Sequence, residues 1–241
     1  MNDEYNEQQP VKSEVSTESP QAKKNVDIGG WLKQAWEIFK TDILKFIVAS
    51  LIVSAVSVVT CLILSGPIMV GFFKCILKKT RGEDFEYGEL FDGVKTQFLP
   101  AFVLMIVVSV ALSIAFVILM LIPIVGQVAF YAVEIFVALF VYYMYLQMAE
   151  MEETLEIAKL IDLGKSTLNK LKDDYAMFLV WALVVSIVAG VGVVVCCVGV
   201  LATYSIAMIA VTVSYLAIIK DEEEVTVVAE EEIVEEVTVE E

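Results

Sequence analysis

Histidine is missing altogether, and cysteine and proline are scarce, with four and five copies in 241 residues. Without histidine the chain lacks the commonest acid–base catalyst and metal ligand near neutral pH. The four cysteines, Cys61, Cys75, Cys196 and Cys197, have no zinc-site spacing and lie in apolar segments or at their ends. They read as inert thiols, with a disulfide between Cys61 and the Cys196/Cys197 pair as the alternative. No glycine-rich phosphate loop or serine nucleophile motif stands out, and the polar parts are too short for a catalytic domain. The expectation is a protein that is not an enzyme and holds neither metal nor cofactor. Basic residues are few as well, 16 against 32 acidic, a balance that repels phosphate and argues against nucleic acid as a partner.

Apolar sequence fills the space. Hydrophobic residues make up 59% of the chain and the mean hydropathy is +0.77, well above the roughly 45–50% apolar content of soluble domains. Five blocks, 44–65, 100–122, 127–148, 176–196 and 200–219, approach the ~20 residues that a hydrocarbon core of ~30 Å requires. The first follows about forty polar residues, so no secretory signal peptide is read. A sixth stretch, "GPIMVGFFKCILKK" at 66–79, is short for a span. Basic residues favour the cytoplasmic side, and here they fall in four places: six from Lys12 to Lys45, five from Lys74 to Lys95, four from Lys159 to Lys172, and Lys220. A crossing at 66–79 puts all four on one side, with Lys78 and Lys79 snorkelling to the interface. A re-entrant hairpin over 44–79 preserves the same sidedness and is the rival reading. Both termini are then cytoplasmic and the protein sits in the cell membrane.

The segments "WEIFKTDILKF" (36–46), "FDGVKTQFLPAF" (91–102) and "LNKLKDDYAMF" (168–178) share two apolar residues three apart, a lysine, two polar residues and an apolar span. Trp31, Trp36, Lys40, Lys95 and Lys172 are expected as interfacial anchors. Asp42, Gln97 and Asp174 are placed to cap the spans that follow. "GPIMVG" (66–71) and "IPIVG" (122–126) each put Pro and Gly where the chain is expected to reverse. The predicted fold is all-α: a polytopic membrane bundle of about six transmembrane helices in three hairpin repeats, with interfacial amphipathic helices. "GGWLKQAWEIFK" (29–40) should lie flat on the inner surface, its stripe of Trp31, Leu32, Ala35, Trp36 and Phe39 toward lipid.

The stretch "GPIMVGFFKCILKKTRGEDFEYGELFDGV" (66–94) resembles a group of uncharacterised prokaryotic six-helix integral membrane proteins, and "LGKSTLNKLKDDYAMFLVWALVV" (163–185) and "CCVGVLATYSIAMIAVTVSYLAI" (196–218) are similar to that group's closing helices. The group is related to the membrane domain of glycerophosphoryl diester phosphodiesterases. The resemblance covers about residues 30–220; it implies a fold but no mechanism, since hydrolysis in that family does not occur in the membrane domain. The chain departs from the group in lacking a proline near Thr203 and in carrying a long acidic tail.

One acid stands inside an apolar block: Glu134 in "YAVEIFVAL", about 15 Å from the outer turn by helical rise, with Lys74 about 12 Å below its own turn. Intramembrane ionisable residues mark functional sites by default, and the matched depths predict a Lys74–Glu134 pair. Residues 1–28 read as a disordered polar tail and 29–220 as the membrane domain. The tail 221–241, with eleven acids and no base, reads as disordered, and its β-branched residues make it a candidate docking segment for a cytoplasmic protein. Membrane lipids are the remaining expected partner; the oligomeric state is open. Scarce intramembrane polar residues favour a noncatalytic scaffold or interaction protein. The alternative is a small-molecule or lipid transporter with a Glu–Lys site, which internal repeats favour.

Overall fold

A computed structural model of the chain describes residues 27–122, 124–171, 175–191 and 196–220, the last without the side chains of 196–198. Among these residues all regular structure is helical. The α-helices are α1 (Ile28–Thr41), α2 (Ile43–Val59), α3 (Ser65–Thr80), α4 (Asp92–Thr96), α5 (Phe98–Leu119), α6 (Val125–Glu150), α7 (Ile157–Lys170), α8 (Tyr175–Val191) and α9 (Cys196–Tyr215), with a 3₁₀ turn over Tyr87–Phe91 before α4. Both tails lie outside the described residues.

Three helices, Phe98–Leu119, Val125–Glu150 and Gly199–Lys220, are long and apolar enough to cross a membrane. The number rises to five if α1 with α2, and α7 with α8, each make one bent span, their axes turning by 96° and 103°. The described residues are therefore all helical where regular, with three to five helices of the length and apolar character that a membrane span requires. The six expected spans are not reached, because α3 has only 16 residues, about 24 Å at the helical rise.

α3 differs from the other apolar helices in being enclosed. Every residue from Gly66 to Leu77 except Lys74 is buried. Glycine makes that possible. A Cβ on Gly71 would collide with the Leu90 carbonyl, one on Gly93 with the Pro67 carbonyl, and one on Gly66 would lie 2.7 Å from the Ala101 carbonyl. Backbone therefore rests on backbone, and the 3₁₀ turn and α4 lie along the first half of α3. The expectation that Gly66, Pro67 and Gly71 form the reversal is corrected accordingly. The chain turns earlier, at 60–64, where Cys61 and Leu62 adopt φ of 50° and 68°. Pro67 stands in the first turn of α3, where its missing N–H costs no helical hydrogen bond. At the other reversal Ile124 has φ 65°, and a Cβ on Gly126 would collide with the Leu119 carbonyl.

α9 is the second enclosed helix, with residues 205 and 207–215 nearly all buried apart from Ile206. α1 packs along it. Asp27 caps α1 by accepting from the Gly30 N–H at 2.8 Å, and Trp31, Ala35 and Phe39, one helical turn apart, are its buried face. Trp31 meets Trp181 of α8 edge-on at 5.1 Å, and Phe39 continues through Phe46 to Phe85 at ring separations of 6.0 and 5.9 Å. The stripe expected to face lipid is thus divided. Its inner edge docks on protein, and Trp36, 47% exposed, remains outside. α5 is the opposite case, with 6% of its apolar window buried. Its far half pairs with the start of α6 through Phe116 and Phe130, 5.1 Å apart.

Candidate functional site

The basic loop after α3 folds into a network of ion pairs at one end of the bundle. Lys79 bonds Asp42 at the start of α2 and lies 3.3 Å from Asp84, which also takes Lys45 at 2.7 Å. Lys78 meets Glu89 at 2.8 Å. Lys74 and Lys95 share Asp92, at 3.4 and 3.1 Å. Glu150, closing α6, accepts from Arg81 at 2.5 Å, from Lys220 at 3.3 Å and from the Tyr215 hydroxyl at 2.9 Å. Hydrogen bonds from Lys45 and Lys79 hold the Asp84 carboxyl down at about 2, so it is ionised throughout the physiological range. Basic residues from three separate stretches of sequence therefore gather at one end, which we call the base.

Above the base, buried hydroxyls tie the helices together. Ser214 Oγ donates to the Val211 carbonyl at 2.8 Å and accepts from Trp181 Nε1 at 3.0 Å. With its proton so engaged, Ser214 accepts from the Tyr143 hydroxyl, 2.9 Å away. Ser50 of α2 and Ser205 of α9 share a hydrogen bond at 2.5 Å, one hydroxyl donating to the other, with the Phe46 carbonyl in reach of both as acceptor for the remaining proton. Gln147 Nε2 donates to Thr167 Oγ1 at 2.6 Å, joining α6 to α7. These contacts satisfy polar groups that would be costly if left bare among apolar side chains.

The predicted Lys74–Glu134 pair does not form. Gly71 and Gly93 bring α4 against α3, and this closeness delivers Asp92 to Lys74. The depth match assumed that α3 starts at the far turn of the bundle. Instead Gly66 lies beside Ala101, and Ser65 Oγ contacts Met105 Sδ at 2.8 Å, close to where α5 begins. Glu134 lies on the exposed side of α6, and among the described residues no ion pair or hydrogen bond reaches it.

The expected anchors separate in the same way. Trp31 is a core residue at 7% exposure. Trp36 is exposed, and Lys40 lies over its ring at 6.0 Å while pairing with Glu37 at 2.8 Å. Lys95 is exposed and paired with Asp92. Lys172 and Asp174 fall outside the described residues. Asp42 and Gln97 form no side-chain caps. Asp42 holds Lys79. Gln97, fully buried, clamps the strap between α6 and α7, donating to the Glu153 carbonyl at 2.7 Å and accepting from the Leu155 N–H at 3.0 Å.

No group of three or more metal-ligating side chains occurs among the described residues. No family model, curated protein or solved structure matches the chain.

Proposed function

We propose that the chain is a noncatalytic membrane scaffold: a braced helical body that presents the α5–α6 hairpin as its interaction arm. The observation that carries this reading is the contrast between the two parts. At the base, charges are matched and α3 and α9 are enclosed. The distal hairpin is exposed along both helices and bears the unpaired Glu134. A site that moves a solute through the bundle needs polar groups facing one another inside it, and the pair on which the transporter reading depended is divided between base and arm.

For topology, the proposal places both termini in the cytoplasm and treats α2–α3 as a re-entrant hairpin, leaving α5, α6, α8 and α9 to cross. Ser65 contacts Met105, fourteen residues short of Leu119, or about 21 Å along α5. A segment carrying Glu89, Asp92 and Lys95 flanks α3, and irregular polar backbone at hydrocarbon depth is tolerated only when enclosed by protein. The kinship with phosphodiesterase membrane domains, and a triplicated origin, remain part of this proposal and lend it no support.

The test is native mass spectrometry of gently extracted protein, wild type against Glu134→Gln. The scaffold reading expects protein free of stoichiometric solute in both. A small molecule bound one-to-one in the wild type and lost in the variant would replace it with a carrier.

A further inference from the structure

We infer that the α5–α6 arm is a self-association surface, its occupant the same arm of a second copy of this chain. The inference rests on the scaffold reading and names its partner.

Glu134 sits among Tyr131, 63% exposed, and Val133, 41% exposed, on a helix long and apolar enough to span. Lipid tails offer a carboxyl group no hydrogen bond, and an acid at mid-membrane is costly unless protein or water supplies one. The covering partner must therefore bring donors to that depth. The chain's own C-terminal tail is a poor candidate. Residues 221–241 follow Lys220 at the base and are acidic, while Glu134 lies sixteen residues up α6 from Glu150, about 24 Å away along the helix.

The same arm carries the complement. Phe116 opposite Phe130 sets the register of the antiparallel helices, so Glu134, one turn beyond Phe130, is level with residues 112–113. Ser109 and Ser113 are there, both exposed, with the Ser113 hydroxyl turned onto the Ser109 carbonyl at 2.7 Å. They line a surface groove of about 460 Å³ with Val110, Ile114, Val117 and Ile118. Small residues four apart let membrane helices approach closely, and serine hydroxyls bond across such contacts.

A twofold axis along the membrane normal brings equal depths together. In an isologous interface each patch meets its complement twice. Glu134 of one copy then enters the Ser109/Ser113 groove of the other, and the reverse contact forms simultaneously. Serine hydroxyls released from their own helix carbonyl become the donors that the carboxyl group lacks.

The test uses full-length protein with its four cysteines replaced, reconstituted in phosphatidylcholine liposomes at low protein-to-lipid ratio. Single cysteines replace Val110 or Val117 in the groove, and Val58, 74% exposed on α2, serves as control. Oxidation is expected to yield covalent dimer from both groove positions at least fivefold above the Val58→Cys control. Glu134→Leu added to Val117→Cys should remove most of that excess, and Glu134→Gln, which keeps a hydrogen-bonding group, should retain it. Groove cysteines that cross-link no better than the control overturn the inference whatever Glu134 variants do. Monomer with a bound solute would also sink the scaffold reading. A groove that cross-links in native membranes to a different protein but never to itself would remove the second copy and leave the scaffold standing.

Discussion

A methyl group at Gly71 would overlap the Leu90 carbonyl, whereas one at Gly88 would meet nothing within 4 Å. Two glycines five positions apart on either side of the 3₁₀ turn's centre, Gly88 and Gly93, therefore have different weight, and only Gly93 joins Gly71 in setting how closely α4 approaches α3. Overpacking a tight contact typically costs about 1–3 kcal/mol. Gly71→Ala should lose at least that much in reversible unfolding in mixed micelles, with Gly88→Ala close to wild type; equal effects would show that backbone contact does not hold α3. Pattern reading located Gly66 and Gly71 but gave them the wrong task, and it gave Gly93 none. A Gly–Pro pair beside an apolar run suits a turn and a helix start equally, and what decides here is the left-handed geometry of Cys61 and Leu62, two residues with no preference for it. The Lys74–Asp92 pairing was hidden for a related reason. It depends on the lateral closeness that Gly71 and Gly93 permit, and one-dimensional depth carries no information about lateral position.

At the scale of elements, the presence of the long apolar helices and the first lead-in stripe were legible because they follow composition, whereas the end of α2 at Val59 was not. Apolar runs became α2, α5, α6, α8 and α9, and α1 has the expected amphipathic stripe. Which surface that stripe meets was not legible. Hydrocarbon and the side of α9 are equally apolar, so Trp31 satisfies either, and only the Trp181 contact separates them. Gln97 shows how a polar residue before a helix can serve a distant element. Its amide joins the start of α5 to backbone groups of Glu153 and Leu155, an interaction worth about 1 kcal/mol per bond and more when the partner is left buried and unmet. Gln97→Leu should raise amide exchange across 151–156 by roughly fivefold or more, while exchange in α3 stays unchanged. Unchanged exchange across 151–156 would mean that the strap is held by α7 alone, and uniform acceleration that Gln97 supports the whole fold.

The molecule as a whole combines an enclosed body with an exposed arm, and the proposed topology predicts how far each turn reaches. In a chain whose other cysteines are replaced, a membrane-impermeant maleimide added outside should label Leu121→Cys, 80% exposed at the far turn, and leave native Cys61 unmodified. Comparable labelling of both would establish α2–α3 as a full crossing. The contacts that close the body have a further consequence, for synthesis. Ser50 meets Ser205 across 155 positions of sequence, and Trp31 waits for Trp181. The first helices to leave the ribosome are therefore completed by the last. Until α9 has been translated, α1 and α2 lack the helix they pack along, and a chain stopped before residue 196 leaves their inner faces bare.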